Sequence, residues 1–293
     1  MSNPVVGVLG LGLMGEAIAQ RLIETGHIVA GYDIVAAKVA AAAVRGVRAC
    51  GSPAEVAHAS DIVLMSVTST KAVEDVVLGT KGIASAGRFD SKVLVDHSTT
   101  EIQATKRVAK ALTMSTGMAF VDAPVSGGPA AATNGTLAIM AGGEAAAIAS
   151  IRPVMERLGQ LMHMGQIGAG QATKLVNQVL VLTNYCVIAE ALRLGEACGV
   201  DAKLIPAALA PGHAGSNLLP VLLERMIARD FAPRGYARQV LKDLEMLHEA
   251  ARERHLAMPM TAQALTLYRL LIAQGKAELD GSAILTLYPE PSA

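Results

Sequence analysis

The stretch PVVGVLGLGLMGEAIAQRLIETGHIVAGYD, residues 4–33, confines the fold more than any other part of the chain. An apolar run at 4–10 reads as a short buried strand. A helical run from about Met14 to Glu24 ends at Gly26, and a second strand at 27–33 ends in Asp33. Gly10 permits a tight turn, Gly12 lets backbone approach a pyrophosphate, and Gly15 lets the helix pack close on the strand. Gly10, Leu11, Gly12, Leu13, Met14 and Gly15 therefore form a candidate dinucleotide-phosphate turn, with a helix N-terminus facing the phosphates. Asp33, 23 residues after Gly10, stands where an acid would bind the adenosine ribose hydroxyls. Ile34 and Val35 follow it, and no adjacent arginine offers to hold a 2′-phosphate, so NAD is expected over NADP. An ordinary βα turn with a chance aspartate and a methyltransferase remain alternatives. A Walker phosphate loop is excluded, because Glu16 stands where that loop needs lysine.

Further strands are expected at 60–67, 91–98, 118–125, 136–143 and 161–165, with helices at 34–45, 101–113 and about 144–158. Strands alternating with helices of this length imply βαβ units and a mainly parallel sheet. After Gly165 the periodicity is almost entirely helical, beginning with a long helix at about 170–198. The expected architecture is α/β, with a dinucleotide-binding domain over 1–165 and an all-α domain over 166–293. Turn signals fall at Gly199, Pro211-Gly212, around 233–235 and at Pro259.

Composition removes several function classes. The 25 basic and 25 acidic residues cancel, so electrostatic capture of nucleic acid is not expected. The 3% aromatic content leaves no base-stacking platform. No metal-ligand spacing links the histidines with Cys50, Cys186 and Cys198, and each cysteine reads as a small buried hydrophobe. Methionines 114, 118, 140, 155, 162 and 164 read as core. His97 lies beside a candidate cofactor loop and reads as structural. No apolar stretch of about 18 residues runs unbroken; 175–195 comes nearest and is interrupted by Asn177, Asn184, Glu190 and Arg193. With no basic n-region or signal-type run at the start, the expectation is a cytoplasmic protein with no membrane partner.

GQATKLVNQVLVLTN, 170–184, places Lys174, Asn177, Gln178, Val181, Asn184 and Tyr185 at helical spacing, a mostly polar stripe on an apolar helix. In DAPVSGG, 122–128, Ser126, Gly127 and Gly128 can present successive backbone N–H groups to a carboxylate, although a plain βα turn reads equally well.

With GLGLMG at 10–15, DAPVSGG at 122–128, GQATKLVNQ at 170–178 and LKDLEM at 241–246, in that order, the chain resembles the β-hydroxyacid dehydrogenases over nearly its whole length. The resemblance implies a Rossmann domain and an all-α domain joined by the long helix, a site in the cleft between them, and homodimers or homotetramers. It implies Lys174 as the catalytic residue, Ser126, Gly127 and Gly128 on the substrate carboxylate, and Asn177 and Lys242 lining the site. Val67 and Thr68 after the third predicted strand, together with Thr99 and Lys242, would hold the nicotinamide end. Two positions depart from the family, which often has proline where Thr68 and Ile102 stand. The implied reaction interconverts a small β-hydroxyacid and its semialdehyde or keto acid. Lys174 takes the hydroxyl proton, and its pKa would be lowered by burial, by the nicotinamide charge and by Lys242. The alternatives are an imine reductase of the same architecture, which usually lacks a lysine at position 174, a 6-phosphogluconate-type decarboxylase, for which the chain is too short, and a non-catalytic dinucleotide-binding relative.

Overall fold

The computed structural model describes residues 3–290. They divide into two compact units, one running to Lys174 and the other starting at Leu175. In the first unit the chain runs β1 (Val6–Leu9), α1 (Leu13–Glu24), β2 (Val29–Tyr32), α2 (Ala36–Val44), β3 (Arg48–Ala49), α3 (Pro53–Ala59), β4 (Ile62–Met65), α4 (Thr70–Leu78) and β5 (Val93–Asp96). It continues through α5 (Ile102–Thr116), β6 (Ala119–Asp122), β7 (Val125–Ser126), α6 (Gly128–Asn134), β8 (Leu137–Gly142), α7 (Ala145–Leu158) and β9 (Gly159–Gly165).

The strands lie in the order β3-β2-β1-β4-β5-β6-β8-β7, with β9 paired to β8. Strands β1 to β6 pair in parallel, whereas β8 runs antiparallel to β6 and β7. The order reverses between β1 and β4. That switch point opens a crevice at the carboxyl ends of those two strands, where doubly wound sheets bind ligands.

Both faces of the central strands are buried, and alternation along each strand shows why. Val6, Val8, Ile62, Leu64, Val93, Val95 and Val121 enter one core, packed with Ile18, Leu22, Ile148 and Ile151 from α1 and α7. Leu9, Val63, Met65, Leu94 and Phe120 enter the other, with Val56, Val73, Val77, Val108 and Leu112 from α3, α4 and α5. Successive side chains point to opposite faces, so a strand covered on both sides needs an unbroken apolar run.

The second unit holds most of α8 (Ala169–Ala197), with α9 (Ile205–Leu209), α10 (Leu218–Ala228), α11 (Ala237–Glu253), α12 (Pro259–Ala273) and a 3-10 segment, Gly281–Leu287. Leu182, Cys186, Ile188, Ala189 and Leu192 of α8 enter its core with Leu222, Leu244, Tyr268 and Leu271. By length and composition α8 could cross a membrane. Its packing in this core and its buried Gln171, Lys174 and Gln178 make it a core helix instead.

Several local expectations are corrected. The turn signal at Pro259 falls where α12 opens, just after the break at 254–258; proline suits this first turn because its missing N–H is unpaired there anyway. The small-residue stretch after Ser126 is a helix, α6, with Pro129 in its first turn and Gly135 closing it at φ +71°. Only Cys186 is buried; Cys50 is half-buried and Cys198 exposed. Met118, Met140 and Met155 are core residues, but Met114, Met162 and Met164 face outward. Met162 and Met164 lie on β9, whose described pairing is to β8 alone, so apolar character does not guarantee cover there.

Candidate active site

The glycine turn joins β1 to α1. Gly10 has φ +88°, and a Cβ there would lie 2.3 Å from the Ser66 carbonyl oxygen; at Gly15 it would lie 1.8 Å from the Gly10 carbonyl oxygen. Both positions demand glycine. Over Gly12 a Cβ would meet nothing nearer than the Lys38 ammonium, 4.0 Å away. No side chain caps α1, so its first-turn N–H groups remain for an anion. This open, uncapped cradle fits a dinucleotide pyrophosphate.

Asp33 is buried and locks the turn to the end of β2. Its Oδ2 accepts the Leu11 N–H at 2.7 Å and its Oδ1 the Val35 N–H at 2.9 Å. Lys38, on α2, brings its Nζ to 3.7 Å from Asp33 Oδ2. This cation is not adjacent to Asp33 in the sequence, where only Ile34 and Val35 follow. A lysine one helical turn into α2 was the available signal.

Two loops at the switch point are tied together. The Val67 N–H donates to Ser98 Oγ at 3.0 Å, and the Glu101 N–H to Thr70 Oγ1 at 3.3 Å. Thr68 is exposed and Thr99 half-buried. Ser69 caps α4 by accepting the Ala72 N–H. Proline is not needed at 102, since Ile102 simply opens α5 after an extended Glu101. His97 is buried; its Nδ1 donates to the Ala123 carbonyl at 2.6 Å, and burial lowers its pKa, leaving a neutral ring that links β5 to the start of the 122–128 loop.

In that loop Ser126 is half-buried, and Gly127 and Gly128 have φ of +126° and +71°. Lys174 is 8% exposed, and its Nζ donates to the Val125 carbonyl oxygen at 2.8 Å. The helix-borne amine and the Ser-Gly-Gly backbone are thereby fixed together within the first unit. Beneath them lies Asp122, the last residue of β6. Its Oδ1 accepts the Gly168 N–H at 2.7 Å and its Oδ2 the Gln171 N–H at 2.8 Å. Burial pushes the Asp122 carboxyl up to about 6 despite these bonds.

In the second unit, Asn177 donates to Gln178 Oε1 at 2.9 Å, and Gln178 in turn donates to Asp243 Oδ2. Lys242 pairs with Asp243 at 3.0 Å. Gln178 is buried whereas Asn177 is half-buried. The polar stripe on α8 thus continues into α11 through Gln178. Ser216 accepts the Leu219 N–H at the start of α10. Among the described residues no group of histidine, cysteine and carboxylate side chains is arranged to hold a metal ion.

Residues 5–168 match the family described as the NAD-binding domain of 6-phosphogluconate dehydrogenase. Residues 168–288 match the NAD-binding family of NADP-dependent 3-hydroxyisobutyrate dehydrogenase. The chain is 36% identical to 2-(hydroxymethyl)glutarate dehydrogenase of Eubacterium barkeri, over 97% of this chain and 95% of that one. It is 35% identical to 2-hydroxy-3-oxopropionate reductase of Escherichia coli, over 96% and 95%. The solved 3-hydroxyisobutyrate dehydrogenase of Mycobacterium tuberculosis with L-serine superposes with a TM-score of 0.82 at 29% identity, covering 98% of this chain and 99% of that one.

Fold and relatives together define an NAD(P)-dependent oxidoreductase acting on CH–OH groups. More narrowly, the chain belongs to the β-hydroxyacid dehydrogenase family, and it interconverts a β-hydroxyacid and its carbonyl form by hydride transfer.

Proposed function

We propose that the chain oxidises a small acid with a 3-hydroxypropanoate core, using NAD, with Lys174 as general acid and base. The observation that carries this is the buried Lys174 ammonium, bonded to the Val125 carbonyl one residue before Ser126. The proton-transfer group and the carboxylate loop then share one rigid frame. The relatives' named substrates supply the core: 2-(hydroxymethyl)glutarate, 2-hydroxy-3-oxopropionate and 3-hydroxyisobutyrate each carry an oxygen on a carbon β to a carboxylate.

The roles follow from the groups present. Ser126 and the N–H groups of Gly127 and Gly128, two glycines at positive φ, receive the substrate carboxylate. Lys174 takes the C3 hydroxyl proton during oxidation and returns it during reduction; as an ammonium it stabilises the developing alkoxide. Asn177 and Lys242 are assigned to the substrate as well. The glycine turn, Asp33, Val67, Thr68 and Thr99 hold the dinucleotide, which when bound supplies the hydride acceptor. We assign the domains to 1–165 and 166–293, and the working form to a cytoplasmic homodimer or homotetramer.

The test is NADH formation on 3-hydroxyisobutyrate, D-glycerate, L-serine, L-threonate and 2-(hydroxymethyl)glutarate, with tartronate semialdehyde run in reverse. Turnover of at least one is expected. Silence on all six, with NADH bound, sinks the reading.

Asp33 sets the cofactor preference. Its carboxylate repels a 2′-phosphate, which the partly exposed Lys38 only partly offsets. NADH is expected to bind at least about 10-fold tighter than NADPH. Asp33→Ala removes the ribose acceptor and frees the Leu11 and Val35 N–H groups, so the NADH Kd should rise about 10- to 100-fold, as loss of charge-assisted hydrogen bonds does. Fluorescence titration reads both values. Tighter NADPH binding by the unaltered protein would reverse the assignment.

A further inference from the structure

We propose that Asp122 is a positioning residue for Lys174: its carboxylate latches the first turn of α8 to the end of β6, and Gln171 extends that latch to the loop around Thr99. The proposal rests on the catalytic role assigned above to Lys174.

Three observations support it. The Asp122 oxygens each take a separate backbone N–H, from Gly168 before α8 and from Gln171 in its first turn. Glycines press close around the carboxylate. A Cβ at Gly142 would lie 2.6 Å from Asp122 Oδ1, and one at Gly170 would lie 2.4 Å from the Asp122 carbonyl and 2.9 Å from Oδ2. The helix start therefore has one seat. Finally, the Gln171 side chain is fully buried and forked: its Nε2 donates to the Ser98 carbonyl at 2.8 Å, and its Oε1 accepts the Thr100 N–H at 3.1 Å. Thr99 lies between those two anchors, and Lys174 follows one turn along α8. A single helical turn thus fixes the amine, the 122–128 loop and the 98–100 loop at once.

Stability alone does not account for this carboxylate. Its folded-state pKa, about 6, lies above the ordinary value of 3.8, so folding favours the protonated form. Its stability contribution is greatest below about pH 4 and falls as pH rises through 6. At neutral pH the charged group weakens the fold that it organises. A neutral group of the same shape should therefore leave melting nearly unchanged but loosen the helix start. Asparagine is that group: it keeps one acceptor and presents an NH2 to the second backbone N–H, where no hydrogen bond forms.

The experiment compares Asp122→Asn and Gln171→Met with the unaltered enzyme and with Lys174→Ala. The substrate is the fastest-oxidised acid of the panel, at pH 8. We expect kcat to fall 10- to 100-fold in Asp122→Asn, with KM and the NADH Kd within 3-fold and the melting temperature within a few degrees. Gln171→Met, which leaves β6 untouched, should show the same split with a smaller fall in kcat. Unchanged kcat in both variants overturns the proposal. So does a parallel loss of kcat, NADH affinity and melting temperature in both, which marks a purely structural role. Turnover retained by Lys174→Ala removes the catalytic assignment and the positioning role with it. Loss in Lys174→Ala alone removes only the positioning role.

Discussion

Lys174→Ala is expected to lower kcat by about 10³-fold or more while leaving the NADH Kd within about 3-fold. A positioned acid/base group contributes typically 10²–10⁴-fold, and the same ammonium adds electrostatic stabilisation of the alkoxide. Cofactor binding is spared because the glycine turn, Asp33 and the loops at the switch point are held by bonds of their own. The variant also loses the hydrogen bond to the Val125 carbonyl, worth on the order of 1 kcal/mol. Lys174→Arg should be almost as inactive, because a guanidinium keeps its proton at any working pH and cannot serve as the base. Pre-steady-state and steady-state rates of NADH formation, with a fluorescence titration of NADH, measure all of this. More than a tenth of the original turnover in Lys174→Ala would end the case for this lysine.

Asp280→Ala is expected to remove about 3–5 kcal/mol from the second unit, enough to lower its melting temperature by more than about 10 °C. Asp280 and Arg225 are 2% and 5% exposed and pair at 2.7 Å. The carboxylate also accepts the N–H groups of Arg234 and Gly235 and both the N–H and the hydroxyl of Ser282. Arg225 further donates to the carbonyls of Asp230 and Ala232. Truncating the acid leaves a guanidinium in the core with its charge unpaired, the costliest way to break such a pair. The double variant Arg225→Met/Asp280→Leu should recover much of the loss, since no charge is stranded.

The pair also sets an acid limit. Burial alone would raise the Asp280 pKa, but Arg225 and the surrounding donors outweigh it and hold the carboxyl below its ordinary value. A depressed carboxyl contributes stability that is present above the unfolded value of about 4 and is lost as pH falls through the lower folded value. Melting curves from pH 7 to 3 should show this loss in the unaltered protein and a flatter profile in Asp280→Ala. A loss under about 1 kcal/mol at pH 7 would show that the pair carries little.

Much of the first unit is legible in local pattern. The strands β1, β2, β4, β5, β6 and β8 fall inside the runs expected for them, because a strand buried on both faces must be continuously apolar. Gly10 and Gly15 are legible because their positions tolerate no Cβ at all. The short helices α3, α4 and α6 were not. Pro53, Ser69 and the Gly-Gly-Pro start of α6 resemble turns, and each becomes a helix start only when a seven- to nine-residue segment packs against the sheet or a neighbouring helix.

What the sequence determined by itself is the alternation of strand and helix, the phosphate turn with its aspartate, and the lysine on a long apolar helix. Each rests on spacing within about 30 residues, where periodicity and glycine geometry act directly. Tertiary structure alone decided that Asp122 seats the helix carrying Lys174, that Gln171 forks across to residues 98 and 100, and that Lys38 returns over Asp33. The first two join residues 46 to 73 positions apart. A buried carboxylate or amide declares its partner only when folding removes water and leaves it those donors and acceptors.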